Sequence, residues 1–183
     1  YQPKYDILFD ALSKHHCEQL GGNNGLVTIL KSIEPGSDAY QEEGIPFIRV
    51  SDMNRFGISE TEIKLSPDIV PAVESLFPKE DTILLSKDGS IGLAYKLEES
   101  MQIITSGALL HLTIKDTKRI LPDYLTLVLN SPIVQLQAER DVNSAVIPHW
   151  KPSEIENVLI PVLDMDTQKE IAAKVQESFA LRK

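Results

Sequence analysis

Two apolar rhythms divide the chain near residue 120, and the change between them most limits what it can fold into. Up to Ile114 the apolar residues come in short branched runs: "LVTIL" (26–30), "IPFIRVSDM" (45–53), "TILLS" (82–86), "IGLAYKL" (91–97) and "MQIITSGALLHLTI" (101–114). Gly, Pro, Asp and Ser bound these runs, which therefore read as strands. In 45–53 the alternation puts Phe47, Arg49 and Ser51 on one face and Ile48 and Val50 on the other, a strand with one wet side. Beyond Pro122 the spacing becomes helical. "PDYLTLVLN" (122–130) gathers Leu125, Val128 and Leu129 on one face. "SPIVQLQAERD" (131–141) restarts a helix with Ser131 as cap and Pro132 as first residue.

"VLIPVL" (158–163) returns briefly to strand, and "DTQKEIAAKVQESFALRK" (166–183) closes as a helix. There Thr167 and Glu170 have capping-box spacing, and Ile171, Val175 and Phe179 form a stripe. At the other end, Tyr5 to Leu20 reads as a helix stopped by "GG" (21–22), with Leu8, Leu12 and Cys17 as its apolar positions. Three prolines in 66–81 suit a loop with a short helix. Strands first and helices last make an α+β class: a twisted, mostly antiparallel, barrel-like β core with helices in the C-terminal third.

With 42% of its 183 residues hydrophobic, the chain can bury one core without staples. No apolar run approaches the roughly 20 residues of a membrane span. Tyr1 to Asp10 is mixed in polarity, unlike a secretion signal. A single cysteine, Cys17, rules out an intrachain disulfide and a multi-cysteine zinc site. These features lead us to expect a cytoplasmic protein with no membrane association. The net charge of −9, from 18 basic and 27 acidic residues, disfavours nucleic acid over most of the surface. The surplus acid lies mainly before residue 100, so a DNA-facing surface has to be a local patch or rely on a basic partner to supply charge.

The stretch "SKDGSIG" (86–92) invites three enzymatic readings, and each fails on spacing. A phosphate loop needs glycines five apart followed by Lys-Ser/Thr; Gly89 and Gly92 are three apart and Leu93 follows. A dinucleotide fingerprint leads into a helix, but this run leads into a strand. Ser90 also lacks the frame of a hydrolase elbow. A hairpin turn remains, with Asp-Gly at its centre. His15-His16 diverge on a helix with no further ligand cluster, so no metal is expected. "NSAVIPHWKP" (143–152) sets amide, hydroxyl, imidazole, indole and ammonium groups in one segment. Such groups read base edges and phosphates; equally, Trp150 could simply anchor a loop to the core.

Taken in order, "GIPFIRVSDM" (44–53), "DTILLSKDGSIGLA" (81–94), "LPDYLTLVLNSPIVQLQ" (121–137), "VIPHWKPSEIENVLIPV" (146–162) and "DMDTQKEIAAKVQESFALRK" (164–183) resemble a target recognition domain of the type I restriction-modification specificity subunits. Lys151 stands where those subunits usually carry Ser or Thr before the proline, and residues 1–25 match no pattern of theirs. The resemblance implies a recognition domain over 1–163, with 1–25 as a helical extension, and the start of a spacer helix over 164–183.

It also implies a non-enzymatic module that needs no cofactor and reads one half of a bipartite target on double-stranded DNA. Its partners are then DNA adenine methyltransferase subunits and, indirectly, the restriction subunit. A related reading makes the chain the specificity module of a methyltransferase-fused restriction enzyme. On this view the loop 87–90 and the segment 143–151 share one face flanked by Arg49, Ser51, Asn54 and Arg55. Lys87 and Lys151 are assigned to phosphates, and Arg55, Asn54, Asn143 and His149 to base edges, with Ser90 and Ser144 beside them. Two rivals remain. A hydrolase centred on Ser86 or Ser90 requires His111 or His149 within hydrogen-bond reach. A protein-interaction module would use the acidic surface instead.

Overall fold

The computed structural model describes residues 2–143 and 146–183. The chain runs α1 (Pro3–Ser13), β1 (Cys17–Gln19), β2 (Val27–Lys31), β3 (Ile45–Ile48), β4 (Met53–Asn54), β5 (Gly57–Ile58), β6 (Lys64–Leu65), β7 (Ile83–Ser86), β8 (Ala94–Lys96), β9 (Ile104–Thr105) and β10 (Leu109–Ile114). It continues through α2 (Pro122–Asn130), α3 (Pro132–Val142), α4 (Pro152–Glu156), β11 (Leu159–Pro161) and α5 (Met165–Ala180). Short 3₁₀ turns lie at Ser37–Ala39, Val50–Asp52 and Val73–Leu76. The fold is α+β, as expected, and among the described residues every α-helix but α1 lies after residue 120.

A four-stranded antiparallel sheet, ordered β2-β10-β7-β8, divides the molecule. Side chains alternate along β7, and both of its faces are covered. Ile83 and Leu85 join Leu110, Leu112, Leu125, Leu129 and Val134 beneath α2 and α3. Leu84 points the other way, to Ile48, Met53, Ile103 and Leu109. This two-sided burial explains why "ILLS" is uniformly apolar up to its serine: a strand between two layers has no wet face. The second layer is built on β6-β3-β9, in which β3 and β9 run parallel. A third cluster joins Phe47, Leu65, Val73 and Ile104 under the proline-rich 66–77 loop.

Several local expectations need correction. The 45–53 stretch is not one half-wet strand: Phe47 and Ile48 are both buried, in different clusters, and the backbone turns at Arg49. Asp52 causes the turn, its carboxylate accepting the Arg49 backbone N–H at 2.9 Å. The first helix ends at Ser13, so Cys17 lies in a strand paired with β11. Ser131 stands at the N-cap of α3 as expected, its carbonyl accepting the Gln135 N–H at 3.0 Å, but its hydroxyl does not cap α3 and donates back to the Val128 carbonyl at 2.6 Å, closing α2. The cap of α5 is Asp164, whose carboxylate accepts the Thr167 N–H at 2.9 Å and its hydroxyl at 2.7 Å.

Helix α5 lies on α2 through Ile171, Ala172 and Val175, and Gln168 joins it to the body. Gln168 is fully buried. Its oxygen accepts the Leu121 N–H at 3.0 Å, and its nitrogen donates to the carbonyls of Arg119 and Leu163 at 3.1 and 2.9 Å. Among the described residues, no helix is long and apolar enough to cross a membrane.

His111 faces the small-strand layer, opposite Leu84, with Nε2 2.6 Å from the Thr105 hydroxyl. Burial pushes its imidazolium pKa down to about 4. An unfolded histidine titrates near 6.5, so between these values the unfolded chain binds more protons. His111 therefore removes stability as pH falls from about 6.5 to 4, about 3 kcal/mol in all. Urea unfolding of wild type and His111→Gln from pH 7 to 4 checks this. The variant should lose less stability over that window, and parallel curves would exclude the effect.

Candidate nucleic-acid interface

Several turns meet where β7 ends and β10 begins. The Ser106 N–H donates to the Ile48 carbonyl at 2.8 Å, the Lys87 N–H to Ala108 at 2.9 Å, and the Trp150 N–H to the Lys87 carbonyl at 2.8 Å. These main-chain bonds set the Arg49–Asp52 turn, residues 106–108, the loop after Ser86 and the segment before Lys151 beside one another. The edge so formed draws on four separate parts of the sequence.

The loop after Ser86 is wider than a two-residue hairpin, because β8 starts only at Ala94. Ser86 organises it from inside. Its backbone pairs with Leu93 and Gly92, while its buried hydroxyl accepts the Leu93 N–H at 2.9 Å and donates to the Ser90 carbonyl. Gly92 sits at φ +80°, and a Cβ there would lie 2.9 Å from the Gln135 amide nitrogen, which donates to the Gly92 carbonyl at 2.8 Å. The backbone angle favours glycine, and a larger residue would also displace the Gln135 amide from this bond. The loop is thus fastened to α3.

Asp88 ties this loop to the 146–151 segment. It forms an antiparallel bridge with His149, and its carboxylate contacts His149 Nδ1 while accepting from Lys87 Nζ at 2.6 Å. Burial works to raise the Asp88 pKa, but the hydrogen bonds from Lys87 and His149 overcome it and hold the carboxyl below its ordinary value. One residue further on, Trp150 is fully buried, and its indole N–H donates to Asp141 at 3.0 Å. Arg140 neutralises the other Asp141 oxygen at 3.0 Å. Lys151 is exposed, and its N–H donates to the Glu154 carboxylate at 3.1 Å, the reciprocal half of a capping box, while the Glu154 N–H that a Ser or Thr side chain would accept donates instead to the Lys151 carbonyl at 2.9 Å.

The predicted residues fare unequally. Ser90, His149 and Lys151 are exposed on this edge, and Arg49 and Ser51 adjoin it through Ile48 and Ser106. Asn143 is exposed at the end of α3, and Ser144 lies outside the described residues. Lys87 departs from the expected exposed lysine: it is 5% exposed, with its ammonium on Asp88. Asn54 spends its side-chain oxygen on its own turn, accepting the Phe56 N–H at 2.7 Å. Arg55 lines a groove of about 550 Å³ against Leu127, Lys174 and Phe179, on the helical side.

One residue was missed. Lys31, at the end of β2, is exposed, and its Cε lies 3.0 Å from where a Cβ on Gly107 would be. Among the described residues it forms no ion pair, and neither does Lys151. Only the pairing of Lys31 with Leu110 brings it here, and sequence alone does not contain that register.

The arrangement gives little to a hydrolase. The Ser86 hydroxyl is bound to backbone, His111 to Thr105 and His149 to Asp88, so neither histidine serves as base for Ser86. No group of three or more His, Cys, Asp or Glu among the described residues is arranged to hold a metal.

Comparison with known proteins supplies the family. No curated protein sequence matches significantly. In fold, the chain is similar to a chain from work on complex assembly and conformational transition of the type I restriction-modification system, at TM-score 0.66, 18% identity, and 97% of this chain against 45% of that one. It is similar to the HsdS subunit of Thermoanaerobacter tengcongensis, at TM-score 0.63, 17% identity, and coverage of 97% and 44%. The S subunit from M. genitalium follows at 0.62, 14%, and coverage of 88% and 38%. The chain thus spans less than half the length of each. Residues 25–180 match the family model of the type I restriction modification DNA specificity domain. With most of its length inside that match, the chain belongs to the family of type I restriction-modification DNA specificity domains.

Proposed function

We propose that the edge formed by the 87–93 loop and the 146–151 segment reads one half of a split target on double-stranded DNA. The chain supplies recognition and no covalent chemistry. The observation that carries this reading is the Asp88–His149 bridge, which turns two distant polar segments into one rigid surface. Family membership gives that surface its substrate class. Lys31 and Lys151 take phosphates, aided by Arg49. His149 and Asn143 reach base edges, with Ser51, Ser90 and Ser144 beside them. Lys87 acts from inside, holding Asp88.

DNA adenine methyltransferase subunits dock on the module, the restriction subunit joins through them, and α5 begins the spacer that sets their separation. A chain fused to its own methyltransferase would use the same edge.

The test is an electrophoretic shift on random and target duplexes across a salt series, with and without the methyltransferase. Lys31→Ala and Lys151→Ala should each weaken all duplexes alike and flatten the slope of log K against log salt by about one unit. Asn143→Ala should instead cost about 1–3 kcal/mol of discrimination at one base pair. Unchanged salt slopes, or no duplex binding at low salt with the methyltransferase present, would overturn the proposal.

A further inference from the structure

Beside the polar groups of this edge stands an apolar feature that phosphate and hydrogen-bond contacts leave unused. Val146 is completely exposed, and Ile147 is 78% exposed. Two adjacent branched side chains in water are a standing cost in the free protein. They are also firmly mounted. Pro148 fixes its own φ, His149 is bridged to Asp88, and Trp150 is sealed in the core. From Asn143 to Lys151 the sequence carries no carboxylate, although the chain as a whole has net charge −9. Of the carboxylates that adjoin this segment in space, Asp88 is paired with Lys87 and Asp141 with Arg140, so their repulsion of a polyanion is reduced, and the exposed groups such a partner meets at 146–147 are methyls.

We infer that Val146 and Ile147 read thymine methyl groups in the major groove. This rests on the DNA-reading function proposed above. The major-groove edge of A·T carries one apolar feature, the C5 methyl of thymine, and aliphatic side chains recognise it by contact. The proposal adds apolar readout to the hydrogen-bonding residues: Asn143 and His149 flank the pair along the chain, so polar and methyl contacts fall on neighbouring base pairs. Specificity for T·A over C·G at one or more positions then comes from Val146 and Ile147.

The experiment is a double-mutant cycle across the interface. The assembled complex first selects its target from a random duplex pool. Binding is then measured for wild type, Val146→Ala and Ile147→Ala, on that target and on the same target with every thymine of the half-site replaced by uracil, which lacks only the methyl. Wild type should bind the uracil duplex about three- to tenfold more weakly, the scale of one or two buried methyls. Ile147→Ala should show a similar loss on the thymine duplex and little further loss on uracil. Both side chains are exposed, so the substitutions leave folding intact.

Equal losses from Ile147→Ala on both duplexes, as an intercalating wedge would give, overturn the inference. So does a wild type indifferent to uracil. Failure of wild type to select any target sinks the DNA-reading function itself, an outcome distinct from either.

Discussion

Replacing Trp150 with alanine should destabilise the domain by about 3–5 kcal/mol, the range for emptying a fully buried aromatic site. The indole lies in the main cluster with Leu129, Val134 and Ala138, and its N–H satisfies Asp141. Trp150→Phe separates the two contributions. It keeps most of the apolar contact and forfeits the hydrogen bond to Asp141, at about 1–3 kcal/mol for a bond to a charged group. Urea unfolding measures both. DNA binding, assayed where both variants remain folded, should fall further for alanine than for phenylalanine, because the segment carrying Val146 to His149 is mounted on this ring. A Trp150→Ala protein within 1 kcal/mol of wild type would mean that the segment is not anchored there.

The second large effect belongs to Gln168. Gln168→Leu preserves volume but leaves the Leu121 N–H and the carbonyls of Arg119 and Leu163 without this partner inside the protein. Each buried group so orphaned costs about 1–3 kcal/mol, and allowing for relaxation the sum should reach about 2–4 kcal/mol. Gln176 provides the control on the same helix: it is exposed and makes one bond, to Asp123 at 2.8 Å. Gln176→Ala should cost about 1 kcal/mol or less. Equal midpoints for the two variants in chemical denaturation would show that α5 is held by its apolar stripe alone.

Physical reasons separate what was legible in the chain from what was not. Helices α2, α3 and α5 announced themselves because their signals are local: proline at the first position of α2 and α3, and apolar spacing repeated over several turns. The capping bonds were harder to read than the cap positions because serine and threonine hydroxyls have competing partners nearby. Ser131 could bond forward into α3 or back to Val128, and only the packing of α2 against α3 selects the second. The stretch 45–53 misled because alternation presumes one wet face. Here Phe47 and Ile48 enter different clusters, the second built from residues as distant as Leu109.

The candidate site was legible only as two polar segments. The two polar segments could be picked out by composition, and they do meet. Their internal chemistry could not be. Lys87 looks like a phosphate lysine in any linear reading, and its burial follows from the arrival of His149 and Trp150 from about 60 residues away. Lys31 was overlooked for the converse reason, since it ends the apolar run Leu26 to Leu30 and is followed by Glu34 and Asp38, whose charge argues against a phosphate site in a linear reading.

The pairing of β1 with β11 bears on how the domain is made. Cys17 lies opposite Pro161 and Gln19 opposite Leu159, so this two-stranded sheet joins residues about 140 positions apart. On a translating ribosome the early strand waits for most of the domain before its partner emerges. Contacts that span so much chain form slowly, and a half-made product carries an open strand edge in the meantime. The nascent chain is therefore most exposed to association with its neighbours just before synthesis reaches β11.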